Sequence, residues 1–211
     1  MKKNYLTKIE RLSFNLSSEL KDILIGLLLG DLYVHKQKTS VNARLEFTQG
    51  IVHKEYIQHL YELFNIYCGM VPKITSRSPD KRTGKVYSSV LFKTFALPCF
   101  NDLYELFYPM GKKIIPLNIG DLLTPLGLCY WICDDGSFCK KNRAIVLNTQ
   151  GFSLEEVELL ISALTDKFNL KCTIKKERGT YAIRISPKSL PVIQSLLSPI
   201  MPSMMRYKIG L

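Results

Sequence analysis

Two aspartates, Asp31 and Asp135, each end a strongly apolar stretch of the sequence and are the best candidates for chemistry. The first stretch is Leu24–Asp31 and the second is Leu128–Gly136. If both stretches are helices, each carboxylate lies at the negative end of a helix dipole, where a cation would compensate it. Taken alone, each stretch is more typical of a buried helix that ends in a solvated aspartate or in a common Asp-Asp-Gly turn.

Small residues in the first stretch indicate how the two aspartates could meet. Gly26 and Gly30 lie four residues apart, on one face of the predicted helix. This spacing lets two helix backbones approach closely, so a paired arrangement would bring Asp31 and Asp135 together. Neighbouring carboxylates repel each other unless cations lie between them. Such a site could hydrolyse a phosphodiester, because paired metal ions activate water and stabilise the leaving oxygen.

The elements that must position these aspartates occur twice along the chain. Each half is predicted as helix, two strands, helix, two strands and a last helix. The N-terminal repeat is 1–118, with its first helix from about residue 18, and the C-terminal repeat is 119–211. Shared residues in the same order argue for an internal duplication and a pseudo-twofold axis. The matches are Asp31 with Asp135, Thr48-Gln49-Gly50 with Thr149-Gln150-Gly151, and Lys113 with Lys208.

Local signals give approximate bounds for these elements. Thr124-Pro125 predicts a capped helix start, and Ser153 with Glu156 forms a capping box. The predicted helices run from Ser17 or Ser18 to about Asp31, His53 to Tyr67, from Pro98, from Thr124 to about Asp135, Ser153 to about Phe168 and from Pro191. The predicted strands lie near Asn42–Thr48, Val71–Arg77, Lys85–Phe92, Ser137–Lys140, Ala144–Gln150, Lys171–Glu177 and Tyr181–Ser186.

Composition favours some classes of protein and excludes others. The 211 residues are 46% hydrophobic, which suits one domain or two small fused halves. A net charge of +11 favours a phosphate-backbone partner, although a solvated basic surface would also explain it. The six cysteines form no CxxC pair and complete no zinc pattern with the histidines. The longest apolar run, Ile23–Val34, is shorter than the ~20 residues of a membrane span. No secretory signal is visible, so an intracellular, non-secreted protein is expected.

The two aspartate-ended stretches resemble the paired helices of the LAGLIDADG homing endonucleases, most closely the monomeric, double-motif members encoded by mitochondrial introns. The similarity extends over nearly the whole chain from about residue 16, and it is strongest in Leu126–Gly136, Ile145–Gln150 and Phe152–Cys172. The sequence departs from the family pattern at Leu32, which replaces a glycine, and at Asp134, which replaces a small residue.

The resemblance implies a fold and a set of site residues. The fold would be α+β, with the paired helices at the interface of two pseudo-symmetric repeats and two antiparallel sheets forming a DNA-binding saddle. Asp31 and Asp135 would bind Mg²⁺, or Mn²⁺ in its place, with help from the backbone carbonyls of Gly30 and Asp134. Lys113 and Lys208 would be active-site lysines, and contact with the phosphate backbone is the alternative. Gln49 and Gln150 match polar residues near the catalytic waters, and a strand-end amide is the alternative for both.

The predicted sheets have an alternating polar face that could read DNA. Asparagine, glutamate, threonine and tyrosine are interleaved with the basic residues, as base-edge contacts in the major groove require; a plain solvated face is the alternative. A seven-residue strand spans ~23 Å, so two halves would read an asymmetric site well over ~12 base pairs long. The outward-facing residues are Asn42, Arg44, Glu46, Thr48, Lys73, Thr75, Arg77, Lys85, Tyr87, Ser89, Lys171, Thr173, Lys175, Glu177, Thr180 and Arg184.

The resemblance therefore implies a monomeric, Mg²⁺-dependent endonuclease that makes a double-strand break with short 3′ overhangs in a long asymmetric DNA site. An intron maturase that binds intron RNA on the same fold is the main alternative. A non-catalytic DNA-binding regulator is a third, which the retained acids and lysines argue against. An intron-encoded member would be organellar, in a mitochondrion or a chloroplast.

Overall fold

The structure, a computed structural model, describes residues 5–211, so the first four residues of the predicted repeat 1–118 lie outside the described part. The chain divides into two compact units. The first unit comprises Met1–Ser17 and Leu32–Leu106, and the second comprises Ser18–Asp31 and Phe107–Leu211. The second unit therefore contains both aspartate-ended helices. The repeat boundaries 1–118 and 119–211 divide the sequence and remain a prediction.

Helices and strands follow each other in the predicted order. The α-helices are α1 (Lys8–Leu12), α2 (Ser18–Leu29), α3 (Lys54–Phe64), α4 (Asn101–Phe107), α5 (Ile119–Leu122), α6 (Pro125–Asp135), α7 (Leu154–Phe168) and α8 (Leu190–Leu197). The strands are β1 (Tyr33–His35), β2 (Arg44–Gly50), β3 (Lys73–Ser76), β4 (Ser88–Lys93), β5 (Gly136–Cys139), β6 (Ala144–Leu147), β7 (Cys172–Glu177) and β8 (Thr180–Ile185). A 3-10 helix, Ser203–Ile209, follows α8.

The first unit is built on a four-stranded antiparallel sheet in the order β1-β2-β4-β3. Alternation along β2 buries Leu45 and Phe47 and turns their neighbours outward. Phe47 stacks on Phe92 of β4, with ring centroids 4.4 Å apart, and meets Phe64 of α3 at 5.1 Å. The amphipathic helix α3 therefore packs on the apolar face of the sheet and not on its polar face.

The second unit repeats this plan with the order β5-β6-β8-β7. Its helix α7 begins at the predicted capping box, in which the Ser153 hydroxyl accepts from the Glu156 N–H. It ends at Asn169, whose φ of 53° lies in the left-handed region. Val157, Leu160 and Leu164 are buried along one face of α7, which packs against β7 and β8.

The predicted α+β class is confirmed, with two four-stranded antiparallel sheets and helices. The hairpin of β3 and β4 is shorter than predicted, because Asp80 organises a long loop between the strands. Its carboxylate accepts the N–H groups of Arg82 and Thr83. The short helices α1 and α5 were not predicted. In the described part of the chain, no helix combines the length and apolar character that a membrane crossing requires.

Candidate active site

The aspartate-ended helices α2 and α6 lie backbone to backbone within the second unit. A Cβ atom built on Gly26 would lie 2.0 Å from the carbonyl oxygen of Gly127. A Cβ on Gly127 would lie 3.0 Å from the carbonyl oxygen of Asp22. Side chains at these positions would separate the helices, so the glycines permit the close approach that the sequence predicted for Gly26.

This approach brings three acidic residues to one end of the helix pair. Asp31 follows α2, whereas Asp134 and Asp135 are the last residues of α6. The Asp134 carboxylate accepts a hydrogen bond from the Asp31 N–H at 3.2 Å. A Cβ on Gly30 would lie 2.5 Å from the Asp134 Cβ. The glycine before Asp31 therefore makes room for the extra carboxylate that departs from the family pattern.

Two lysines reach the same place from different loops. Lys113 Nζ donates to the Gly30 carbonyl at 2.7 Å. Lys208 Nζ donates to the Asp134 carbonyl at 2.9 Å and also to the Cys133 carbonyl. Each lysine thus binds the backbone carbonyl immediately before one of the two candidate metal-binding aspartates.

Local structure fixes both lysines. Near Lys113, the Ile114 N–H donates to the Phe107 carbonyl at 2.8 Å and the Ile115 N–H to the Glu156 carboxylate at 2.9 Å. Lys208 lies in the 3-10 helix Ser203–Ile209 and is 7% exposed. That helix ends at Gly210, where φ is 75° and a Cβ would meet the Phe138 ring at 2.6 Å. A left-handed glycine therefore lets the C-terminal turn pack onto β5.

Burial and mutual charge shift the pKa values of these groups. Burial lowers the pKa of Lys113 to about 8, although the carboxylates of Asp135, Asp134 and Asp31 oppose the shift. Burial also lowers the pKa of Lys208, although the charges of the same three acids and of Cys133 oppose this shift. Burial, followed by the charge of Asp31, raises the pKa of Asp135 to about 7, although both lysines counter it. A cation between Asp31 and Asp135 would reverse this effect by favouring both ionised forms.

The oxygen atoms at this end of the helix pair fit a hard divalent cation. Within residues 5–211, no three His, Cys, Asp or Glu side chains are arranged to hold a metal ion. A site here would therefore combine Asp31 and Asp135 with backbone carbonyls and water, which are ligands that Mg²⁺ accepts. The carbonyls of Gly30 and Asp134 already accept hydrogen bonds from the lysine side chains. Each has a second lone pair that could contact an ion.

The two predicted glutamines lie in different settings. Gln49 lies on β2, opposite Val90 of β4 in the first unit. Gln150 lies in an exposed turn after β6, and its side-chain amide donates to Asn148 Oδ1 at 3.4 Å. Asn148, which the sequence analysis did not select, contacts the site itself. Its backbone N–H and its side-chain amide both donate to the Asp135 carbonyl, at 3.1 and 3.0 Å.

Strand pairing explains why Asn148 was missed. Tyr33, two residues after Asp31, pairs with Glu46, and Ser137, two residues after Asp135, pairs with Val146. On this register Asn148 corresponds to Thr48. The Thr-Gln-Gly match is therefore displaced by one position from the structural match, and counting two residues on from Val146 would have identified Asn148.

The outward face of the first sheet contains most of its predicted residues. Arg44, Glu46 and Thr48 of β2 alternate with buried residues, and the register places Lys73, Thr75 and Ser89 on the same face. Asn42 precedes β2, where its side chain accepts from Asn101 at 3.1 Å. Three predicted residues lie in the β3–β4 loop and are exposed, namely Arg77, Lys85 and Tyr87. The register also places on this face the polar residues Tyr33, His35 and Lys93, which the alternation pattern missed.

The second sheet presents a similar face with different side chains. Thr173 pairs with Arg184, and Glu177 pairs with Thr180, so these residues share the outward face with Lys175. Lys171 is exposed just before β7, where its N–H donates to the Ser189 hydroxyl at 2.8 Å. Together with Ser137, Val146 and Asn148, part of this face lines a cavity of about 300 Å³.

Comparison with known proteins gives consistent matches. A family model described as the LAGLIDADG DNA endonuclease family matches residues 21–193. A cytochrome b mRNA maturase bI2 from Debaryomyces hansenii is 33% identical over 206 residues, which cover 94% of this chain and 77% of that protein. A "probable intron-encoded endonuclease 1" from Wickerhamomyces canadensis is 35% identical over 200 residues, covering 92% and 85%. The solved structure of the homing endonuclease I-WcaI bound to its DNA recognition sequence matches with a TM-score of 0.87 at 34% identity, covering 93% of this chain and 88% of that one.

Proposed function

This chain belongs to the LAGLIDADG DNA endonuclease family, and we propose that it is a homing endonuclease that hydrolyses both strands of a specific duplex site with the help of Mg²⁺. The observation that carries the proposal is the paired site at the ends of α2 and α6. Asp31 and Asp135 each follow a carbonyl that accepts a hydrogen bond from a lysine. A protein that only binds DNA has no use for acids held beside the phosphates it must attract.

Under this proposal each residue of the site has a defined task. Asp31 and Asp135 would hold the metal, together with the carbonyls of Gly30 and Asp134. Mg²⁺ or Mn²⁺ held there would supply an activated water and stabilisation of the leaving oxygen. Lys113 and Lys208 place positive charge where the phosphate gains negative charge in the transition state, and they hold the two carbonyls in place. Asn148 fixes the Asp135 carbonyl, and Gln49 and Gln150 remain candidates for orienting water.

The two sheets support a proposal for the form of the DNA site. Their outward faces differ in sequence, so one chain acting as a monomer would read an asymmetric target. The first face offers Arg44, Thr48 and Lys73 among others, and the second offers Thr173, Lys175 and Arg184. Each half of the site would direct cleavage of one strand, which leaves short 3′ overhangs if the two cuts are staggered across the minor groove.

A maturase function is the second candidate, and one observation favours it. A relative that covers 94% of this chain is named a cytochrome b mRNA maturase. The same basic surfaces could bind a folded intron RNA, since phosphate contacts do not depend on the type of nucleic acid. Either function fits an intron-encoded protein in an organelle, which is the localisation we propose.

A single experiment distinguishes these functions. The full chain is incubated with Mg²⁺ and a duplex that joins the two exon sequences flanking its own intron, and separately with the precursor RNA that contains the intron. The endonuclease proposal predicts linear DNA product that chelation by EDTA prevents. Absence of DNA cleavage together with faster splicing of the RNA would establish the maturase instead.

A further inference from the structure

Three basic side chains on the outward face of the first sheet converge on Glu46. The Arg44 guanidinium donates to Glu46 Oε1 through Nε at 2.9 Å, and its Nη2 lies 2.8 Å from the same oxygen. Lys93 Nζ lies 3.0 Å from the other carboxylate oxygen, Oε2. His35 Nδ1 lies 3.3 Å from Oε1. The strand register explains the convergence, because Glu46 pairs with Lys93 and Arg44 pairs with His35.

Glu46 is the least accessible member of this cluster. Its side chain is 18% exposed, compared with 28% for Arg44 and 44% for Lys93. Burial alone would raise the pKa of Glu46, but the hydrogen bonds from Lys93 and Arg44 lower it below its usual value. The carboxylate therefore remains ionised, and its basic partners are more exposed to solvent than it is.

The orientation of Arg44 leaves one edge of its guanidinium facing away from the carboxylate. Arginine has five N–H donors in a planar fork, and the edge formed by Nε and Nη2 is occupied by Glu46. The remaining edge, formed by Nη1 and Nη2, has the geometry for a bidentate contact with the O6 and N7 atoms of guanine. A guanidinium held by a carboxylate loses little conformational freedom when it makes that contact.

We propose that Glu46 is a positioning residue that holds Arg44 for recognition of a guanine in the major groove, an inference that rests on the proposed DNA endonuclease function. Glu46 itself touches no base. Arg44 makes the base contact, and Lys93 neutralises the carboxylate so that it does not repel the phosphates. The alternating pattern of β2 alone predicts Glu46 as a residue that contacts DNA directly.

The second sheet offers a matched control for this assignment. Lys175 and Glu177 are two residues apart on β7, as Arg44 and Glu46 are on β2. Lys175 Nζ lies 3.2 Å from Glu177 Oε2, and the two side chains are 46% and 51% exposed. Because an ammonium group has no second planar edge to orient, Glu177 has no comparable positioning role.

The test measures base preference by competition binding in Ca²⁺ or without metal, so cleavage does not interfere. The probes are the joined exon duplex and single base-pair variants of it. The proteins are the full-length wild type, Arg44→Ala, Glu46→Met, the double variant and the control Glu177→Met. Glu46→Met keeps the side-chain length and removes both acceptor oxygens. If the melting temperature of Glu46→Met shows that this variant does not fold, Glu46→Ala is used in its place. Glu46→Gln tests rescue, because its amide oxygen can still accept from Arg44.

We expect Arg44→Ala and Glu46→Met to lose preference at the same G·C pair, by about 10-fold to 100-fold for Arg44→Ala. The double variant should be no worse than Arg44→Ala, Glu46→Gln should retain most of the preference, and Glu177→Met should leave that position unchanged. The inference is overturned if Glu46→Met affects a different base pair, which would make Glu46 a reader itself. It is also overturned if Arg44→Ala weakens all duplexes alike, as loss of a phosphate contact does. Failure of the wild type to bind any of the duplexes would instead reject the proposed function on which the inference rests.

Discussion

The two acid-bearing ends of the helix pair share one plan but differ in their surroundings. Lys113 binds the carbonyl before Asp31, and Lys208 binds the carbonyl before Asp135. Asp31 is exposed and follows a glycine, whereas Asp135 is partly buried and follows another aspartate. Lys208 is itself buried and binds a second carbonyl, that of Cys133.

The two ends differ in the residue that precedes the aspartate, which is glycine at one end and aspartate at the other. Because the lysines bind backbone oxygens, both residues allow the same lysine contact. The change is accommodated because Gly30 has no Cβ where Asp134 lies. The burial of Asp135 raises its pKa to about 7, so this carboxylate depends on a cation or a lysine to remain ionised.

The largest expected effect is on cleavage when either acid is neutralised. Asp31→Asn and Asp135→Asn should each slow cleavage of the joined exon duplex by on the order of 1,000-fold or more, because a metal ion contributes several kcal/mol to transition-state stabilisation. DNA binding should change by only a few fold. The measurement is a single-turnover time course with Mg²⁺ at saturating enzyme, with circular dichroism as the control for folding. Cutting at the wild-type rate by either variant would rule out that aspartate as a metal ligand.

The next largest effect is on stability, at the crossing of the two helices. Gly26→Ala should lower the free energy of unfolding by about 3 kcal/mol or more, since its Cβ would lie 2.0 Å from a backbone carbonyl. Gly127→Ala is the matched control. Its Cβ meets the nearest atom at 3.0 Å, and the better helix propensity of alanine, about 1 kcal/mol, offsets the crowding. Urea denaturation compares the two variants, and a loss for Gly26→Ala no larger than that for Gly127→Ala would contradict the closer helix approach at Gly26.

Removal of either lysine should impair catalysis unequally on the two DNA strands. Lys113→Met and Lys208→Met should each slow cleavage by about 100-fold, with nicked DNA accumulating before linear DNA, because each lysine serves mainly one scissile phosphate. Lys208→Met should also reduce stability more, since Lys208 is the more buried residue with two carbonyl partners. Nicked and linear plasmid are measured over time at saturating enzyme. Weaker binding with native rates on both strands would assign the lysines to phosphate contact alone.

The smallest expected effect concerns the residue that holds the Asp135 carbonyl. Asn148→Ala should destabilise the protein by about 1 kcal/mol, mainly through loss of the side-chain hydrogen bond to the Asp135 carbonyl, with a modest loss of cleavage rate. Gln150→Ala, two residues away and exposed, serves as the control and should leave stability unchanged. Thermal unfolding and single-turnover cleavage are measured for both. A larger effect of Gln150→Ala on cleavage would support the water-orienting role proposed for Gln150.

Much of this architecture could be predicted because local signals in the sequence agreed with the repeated order of the predicted elements. The capping box at Ser153 located the start of α7, and Thr124-Pro125 located the start of α6. The apolar stretches ending in Asp31 and Asp135 located the site. These features depend on the chemistry of neighbouring residues, which the sequence displays directly.

The remaining features depend on contacts between residues distant in the chain. Asn148 reaches the site through the pairing of β5 with β6. The Thr-Gln-Gly match instead aligns Thr48 with Thr149, one position further along the chain. In the sequence, Glu46 is one of several alternating polar residues. Its contacts with three basic side chains could not be predicted, because these side chains lie on three different strands. The helix α1 was overlooked although Thr7 and Glu10 form a capping box, since it has only five residues.

We propose that Asp31 and Asp135 hold divalent metal ions between the two helix ends. The number of Mn²⁺ ions bound per protein–DNA complex can be measured from the electron paramagnetic resonance signal of the unbound ion during a titration. We expect Asp31→Asn and Asp135→Asn each to bind fewer Mn²⁺ ions than the wild type, or to bind them more weakly, whereas Gln150→Ala should bind the same number. Unchanged Mn²⁺ binding in both aspartate variants would show that these residues are not metal ligands.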